Sequence, residues 1–478
     1  METLTVDLCV IGAGAGGLTV AAGASQLGAK TVLIEAGEMG GDCLNYGCVP
    51  SKALLAAAHA AKAMRDGARF GLANGPAEAV DFRRVHDHVR GVIEAIAPQD
   101  SGERFEGLGV RVIRAAARFT GPRELQAGEI RLRARRFVIA TGSRPAVPPI
   151  PGLDRVPYHT NETIFGLTDL PEHLLVIGGG PIGCELAQAY RRLGARVTIL
   201  EAANLLPKDD PEPVDLLRRR LRSEGVDLYE QARVTAVENA AGGGIVAHVE
   251  QGGDRKAIAG STLLVAAGRR PTVKGLNLEA AGVAYTERDG IAVDHRLRTT
   301  NRRIYAVGDV TGRHRFTHMA AYEAGIVIRN ALFRLPAKID DRAVPWVTFT
   351  DPELAHVGLT EAQARTRAGR GGIRVLRWPF AENDRAQAER ATDGFVKAVT
   401  TPRGRILGAT IVGARAGELI HLWALAIGQD LKIGAIANMI APYPTLGEAS
   451  KRAAGSFYMP ALFSERTRRL VRFLGLFG

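Results

Sequence analysis

The chain has 478 residues, 46% of them apolar and 23% charged, with 62 basic against 50 acidic residues and a net charge of +12. These are globular proportions and the length allows about three domains, so fibrous and wholly disordered classes are excluded. No run of about 18 apolar residues is present, which excludes a transmembrane helix.

The N-terminal residues enter a strand pattern over 3–11 with no basic segment before it, so a secretory signal is not expected and the expected location is the cytoplasm. The basic excess is mostly arginine and is spread along the chain. Without zinc-finger spacing or an RNP-type aromatic motif, it predicts a solvated surface and no nucleic-acid partner.

The apolar run 8–11 leads into Gly12-Ala-Gly14-Ala-Gly-Gly17, a helical pattern, and a strand ending in Glu35. The same order returns after the run 174–177, with Gly178-Gly-Gly180-Pro-Ile-Gly183 and a strand ending in Glu201. Strand, glycine turn, helix, strand and acid, twice over, predict an α/β protein with two doubly wound, Rossmann-like nucleotide-binding domains. In each copy the first glycine permits the tight turn. The second lets backbone approach a pyrophosphate, and the third lets helix and strand pack closely. The pyrophosphate then faces unpaired amides at a helix N-terminus. Glu35 and Glu201 are placed to accept hydrogen bonds from ribose hydroxyls. Glu201 would repel a 2′-phosphate, and Ala202, Ala203 and Asn204 supply no arginine to offset it, so NADH is expected rather than NADPH.

Residues 53–95 read as an alanine-rich helix pair and 110–140 as short strands ending in Phe137-Val-Ile-Ala-Thr-Gly142. Pro145, Pro148, Pro149 and Pro151 form a stiff linker. Residues 230–267 carry β-type runs broken by Gly242, Gly243 and Gly244, and Ile304-Tyr-Ala-Val-Gly-Asp309 reads as a buried strand ending in an acid. From about 340 the pattern changes to strands at 344–358, 395–400 and 405–412 and helices at 419–428 and 432–440, a C-terminal α+β domain. The expected division is 1–148 with 268–340, an inserted 149–267, and 341–478. Residues 461–478 interleave Leu470, Val471, Phe473, Leu474, Leu476 and Phe477 with Arg466, Arg468, Arg469 and Arg472. A basic amphipathic segment of this kind lies on an anionic membrane, packs on a dimer, or frays.

The four cysteines are Cys9, Cys43, Cys48 and Cys184, too few for a secreted disulfide framework. Cys43 and Cys48 stand in Gly40-Gly-Asp-Cys43-Leu-Asn-Tyr-Gly-Cys48-Val-Pro-Ser-Lys52. Three readings apply. The pair can be two structural thiols, or part of a metal site, for which no further ligands lie close in sequence. It can also be a reversible disulfide at the start of a helix, with Gly47 easing the turn. The last is better supported, because a helix N-terminus and Lys52 both stabilise a thiolate. His318, His356 and His421 show no ligand spacing, and no resident metal is expected.

This cysteine segment resembles the redox motif of the flavin-dependent pyridine nucleotide–disulfide oxidoreductases, the family of lipoamide dehydrogenase, glutathione reductase and mercuric reductase. Ala140-Thr-Gly142, the run from Gly178 to Glu185, Ala267-Gly-Arg-Arg-Pro271 and Ala306-Val-Gly-Asp309 extend the likeness over nearly the whole chain. The resemblance implies FAD at the first glycine loop, NAD(P)H at the second, and a homodimer formed through 341–478. It implies Asp309 on the flavin's ribityl chain and a Lys52–Glu185 pair near its reactive edge. Cys48 would be the flavin-facing thiol and Cys43 the exchange thiol. The implied path runs from NADH to flavin, to the Cys43–Cys48 disulfide, and on to an acceptor. It also implies cofactor contacts at Ala117, Thr141, Gly142, Ala320, Val234 and Gly268.

The sequence departs from the disulfide-reducing members at Ala441-Pro-Tyr443-Pro-Thr-Leu-Gly-Glu448, where Tyr443 stands in place of their histidine and Glu448 is kept. A phenol is a poor base at neutral pH, so turnover of lipoamide or glutathione disulfide is not expected to be efficient. Tyrosine here is similar to mercuric reductase, but no cysteine follows Cys184. The acceptor classes are therefore a thiolate-held metal ion, a small-molecule quinone or an unusual disulfide. A lipoamide dehydrogenase with another base and a membrane-peripheral electron carrier are the alternatives.

Overall fold

The computed structural model describes residues 2–72 and 80–477. The chain divides into two compact units, Met1–Ala202 with Tyr229–Ile339, and Ala203–Leu228 with Asp340–Gly478.

The first unit is built on parallel strands. Glu2–Ile11 lies between Thr31–Glu35 and Ile130–Ile139, and Arg111–Arg114 extends the sheet beyond Thr31–Glu35. Ile304–Ala306 joins in parallel along the second half of Ile130–Ile139, while an antiparallel hairpin, Ala117–Gly121 and Glu124–Ala127, joins along its first half. Leu8 to Ile11, Val32 to Ile34 and Phe137 to Ile139 are all buried. Such unbroken apolar runs belong to strands covered on both faces. One covering helix is Ala15–Gln26, which packs on Thr317–Ala331.

The second glycine loop follows its own parallel sheet, in which His173–Ile177 lies between Arg196–Leu200 and Thr262–Val265. An antiparallel sheet of Ala232–Asn239, Ile245–Gln251 and Asp254–Gly260 accounts for the β-type runs. The expected helix pair is Cys48–Asp66 and Phe82–Asp100; residues 73–79 of that stretch lie outside the described residues.

The second unit has a five-stranded antiparallel sheet in the order Pro345–Thr348, Glu353–Gly358, Ile406–Gly413, Phe395–Thr400, Arg374–Pro379. Helix Ala416–Gly428 packs on it and buries Trp423 completely. The single run read over 344–358 is two strands, because Asp351-Pro352 makes a turn and Thr350 Oγ1 donates to the Pro352 carbonyl at 2.9 Å. The helix read over 432–440 is short, Ile433–Ala437. Helix Pro211–Ser223 also belongs to this unit. Lys397, 6% exposed on the sheet, reaches Asp210 at 2.8 Å, Glu212 at 3.2 Å and Glu361 at 2.6 Å. Trp346 Nε1 donates to Asp209 at 2.7 Å.

Candidate active site

Both glycine loops are shaped by close backbone contacts. Gly12 has φ +105°, and a Cβ there would meet the Ala140 carbonyl oxygen at 2.4 Å. A Cβ on Gly17 would lie 1.8 Å from the Gly12 oxygen. In the second copy, Gly178 has φ +114° with the Ala266 oxygen 2.5 Å from its would-be Cβ, and Gly183 would meet the Gly178 oxygen at 2.0 Å. The middle glycines differ. A Cβ on Gly14 would approach only Gly41 Cα, at 4.0 Å, and one on Gly180 nothing within 4 Å. The protein does not need glycine at these two positions for its own packing, and the open space at a helix N-terminus fits a pyrophosphate. Glu35 accepts from the amides of Ala13 at 2.5 Å and Gly37 at 2.6 Å, and Glu201 from the Gly179 amide at 2.5 Å. Each acid is thus held at the edge of its loop, where a ribose would lie.

Other expected contacts gather around the first loop. Gly16 packs on Val307 and Ala320, and Gly308 packs on Ala320. Thr141 Oγ1 donates to the Thr272 carbonyl at 2.7 Å and the Gly142 carbonyl accepts from the Thr272 amide at 2.9 Å. Asp309 accepts from Ser143 Oγ at 2.5 Å, and burial raises its carboxyl above the usual range. Ala117 lies at the start of its strand, in the apolar core of the first sheet. At the second loop, Gly268 has φ +116° two residues after Ala266, and Val234 lies in a strand whose second neighbour Ala232 donates its amide to the Glu201 carbonyl.

The cysteines sit on two successive helices. Cys43 is in Gly41–Asn45, and Cys48 opens Cys48–Asp66. Gly47 does ease the turn, by close approach rather than by a left-handed backbone: a Cβ there would meet the Asp42 carbonyl oxygen at 2.9 Å, its φ is −123°, and the left-handed residues are Gly40 and Gly41. Gly41 would clash with Gly14 Cα at 2.8 Å if it carried a Cβ, so the cysteine segment rests against the first glycine loop. Both thiols are free, Cys43 half-buried and Cys48 exposed. A hydrogen bond from Cys43 lowers Cys48 to about 6, with Thr317, whose hydroxyl is 3.6 Å from its sulfur, and Lys52 adding to the effect against loss of water around it. That hydrogen bond and burial push Cys43 up. One thiolate is therefore preferred, on Cys48, at the N-terminus of a nineteen-residue helix. Lys52 Nζ donates to Glu185 Oε2 at 2.7 Å. Glu185 is 5% exposed, so it is no helix-surface acid.

Four residues near these groups were not singled out in the sequence. Arg269 donates to Ser143 Oγ at 2.7 Å and to the Ser143 carbonyl at 2.9 Å, and lies 3.1 Å from Asp42 Oδ1. Asn161 donates to the same Asp42 oxygen at 3.1 Å and to the Tyr46 carbonyl at 3.0 Å. Together they connect the segment between the cysteines to Ser143 and hence to Asp309. Glu323, fully buried, accepts the Gly308 amide at 2.7 Å, and burial raises it to about 7. Thr317 is the fourth. Arg269 stands in the Ala267-to-Pro271 run, where nothing in the spacing marks its role; the partners of Asn161, Thr317 and Glu323 are too remote in sequence for spacing to show them.

In the second unit Tyr443 is 70% exposed, and its hydroxyl donates to Asp384 Oδ2 at 2.8 Å, which raises the phenol above its usual value. Glu448 opens helix Glu448–Gly455. Asp384 has no signal in the sequence. Among the described residues no group of three His, Cys, Asp or Glu side chains is arranged to hold a metal ion, and no helix is long and apolar enough to cross a membrane.

Residues 6–324 match the family model of the pyridine nucleotide-disulphide oxidoreductases, and 344–454 match that family's dimerisation domain. The chain belongs to this family. It is 38% identical to a mercuric reductase of Streptomyces lividans, over 94% of this chain and 96% of the relative. It is 37% identical to a dihydrolipoyl dehydrogenase of Thermus scotoductus, over 96% and 98%. Among solved structures, the HOCl-induced flavoprotein disulfide reductase RclA of Escherichia coli is similar with a TM-score of 0.84 at 31% identity, covering 94% of this chain and 99% of that one. A Cu(II) complex of RclA gives 0.85 at 30% identity, covering 95% and 99%. As a pyridine nucleotide-disulphide oxidoreductase, the protein is a flavoenzyme using FAD and NAD(P)H, and electrons pass from nicotinamide through flavin to a disulfide. The expected fold class holds, and the dimerisation match supports a homodimer.

Proposed function

We propose that Cys43 and Cys48 form the working dithiol of an NADH-dependent reductase whose acceptor is a thiol-seeking metal ion of the mercuric or cupric class. Bound FAD supplies the two-electron exchange between nicotinamide and dithiol. Gly12, Gly14, Gly17 and Glu35 would hold its adenosine diphosphate part, with Ala117, Thr141, Gly142 and Ala320 lining it and Asp309 on the ribityl chain. Gly178, Gly180, Gly183, Glu201, Val234 and Gly268 would hold NADH, and Glu201 disfavours a 2′-phosphate. In this reading 1–148 with 268–340 bind FAD, 149–267 bind NADH, 341–478 make the dimer, and the enzyme works in the cytoplasm. Cys48 is the flavin-side thiolate, Lys52 is held and compensated by Glu185, and Cys43 meets the acceptor.

The state of Tyr443 carries the choice of acceptor. A disulfide acceptor releases a thiolate that must be protonated, and the phenol of Tyr443, committed to Asp384 and raised in pKa, is a poor partner for that step. A metal ion held by two thiolates accepts electrons without it. The relatives include mercuric reductases and a Cu(II)-bound reductase, which agrees with this choice. The balance is one mercuric ion, or two cupric ions, reduced per NADH, with one proton released. We expect NADH oxidation to be driven by mercuric or cupric ions in preference to lipoamide, and to fall by about a hundredfold or more in Cys43→Ser. Unchanged turnover in that variant, or faster turnover with lipoamide, overturns the reading. A quinone is the second acceptor class, favoured by the uncovered basic helix Glu465–Leu474.

A further inference from the structure

Helix Glu465–Leu474 starts cleanly, with Ser464 Oγ accepting the Thr467 amide, and none of its residues is buried. Leu470, Val471, Phe473 and Leu474 are each more than half exposed, as are Leu462 and Phe463 before them and Leu476 and Phe477 after. At about 100° per residue, Leu470, Val471, Phe473 and Leu474 share one arc, and Phe477, past the helix end, packs edge-on against Phe473 with ring centroids 5.2 Å apart. Glu465, Arg468, Arg469 and Arg472 take the opposite arc, while Arg466, four residues before Leu470 and seven before Phe473, stands on the apolar side at the helix start. Arg469 and Arg472 both lean on Glu465, at 3.5 and 2.7 Å, while among the described residues Arg466 and Arg468 have no ion pair.

We propose that this helix is a docking surface for an anionic lipid bilayer, lying in the headgroup plane with its apolar arc inserted. Two observations support this occupant. The apolar arc is contiguous and large for a surface in contact with water. The polar arc carries three arginines against one glutamate, the complement of an anionic headgroup layer, and arginine stems, that of Arg466 on the apolar side included, can lie along the acyl boundary while their heads reach phosphate. The net charge of +12 also draws the chain toward an anionic surface. This inference does not depend on which acceptor the enzyme uses.

The test uses the purified full-length holoenzyme and extruded vesicles of phosphatidylcholine, with and without about 30% phosphatidylglycerol to supply a negative surface potential. We expect cosedimentation with the anionic vesicles and little with the neutral ones. Release is expected on going from about 0.1 to 1 M salt, as screening shortens from about 10 to 3 Å. Replacing Arg468, Arg469 and Arg472 by glutamine should weaken binding about a hundredfold, at roughly fivefold per charge. Leu470→Glu with Phe473→Glu should abolish it, and both variants should keep wild-type NADH oxidation in solution. The proposal fails if anionic vesicles do not bind the protein, if neutral vesicles bind it equally, or if both variants bind like wild type. It also fails if either variant turns a dimer into a monomer in sedimentation velocity, since the helix then belongs to the subunit interface.

Discussion

At the scale of residues, chemistry rests on one sulfur made acidic and its neighbour kept protonated. Cys48 accepts the Cys43 hydrogen bond and, with Thr317 and Lys52 adding to it against loss of water, falls to about 6. Since the shift is downward, the thiolate is present above pH 6 and lost below it. In the reduced protein, thiolate absorbance near 240 nm that is missing in Cys48→Ser should rise with a midpoint near pH 6. Thr317→Val should move that midpoint upward by about one unit, the scale of a lost hydrogen bond to a charged group. Lys52 was legible because it follows Cys48 by one turn. Glu185 is 133 positions further on, and only the family likeness pointed to it. Thr317 and Asn161 were illegible, because hydroxyl and amide groups become specific only when a distant segment brings them within hydrogen-bond reach.

At the scale of elements, the two glycine loops separate packing from binding. Gly183 is needed by the protein itself: a methyl there would sit 2.0 Å from the Gly178 oxygen. Gly180 faces open space. Gly183→Ala should therefore lower the stability by about 1–3 kcal/mol or more, as overpacking does, seen in a thermal melt. Gly180→Ala should leave the melt unchanged and raise the KM for NADH about tenfold, the loss expected from one weakened amide-to-phosphate contact. Equal melting losses in the two variants would remove the distinction. The sequence showed both loops because strand, turn and helix are local. It merged Pro345–Thr348 with Glu353–Gly358, because the apolar residues on both sides of Asp351-Pro352 hid the turn.

At the scale of the whole molecule, segment Ala203–Leu228 is cut from the sequence between two strands yet packs within the unit that contains Asp340–Gly478. Its anchor is Lys397, buried among Asp210, Glu212 and Glu361, with Arg377 also on Glu212 at 2.9 Å. Lys397→Met leaves three carboxylates without their shared cation. The expected loss is about 3–5 kcal/mol, or a fall of about 10 °C in Tm for a unit of this size, measured by calorimetry. A melt within 2 °C of wild type would show the cluster to be dispensable.

The sequence by itself determined the two nucleotide folds, the cysteine pair with its lysine, and the family, since each is written in residues close along the chain whose spacing is fixed by backbone geometry. Only the tertiary structure decided that Arg269 and Asn161 connect the cysteine segment to Ser143 and Asp309, that Tyr443 is committed to Asp384, and that Lys397 anchors a segment some 187 residues before it. These are charge and hydrogen-bond pairings between remote segments. Their partners are chosen by distance and burial after folding, and no periodicity along the chain encodes either.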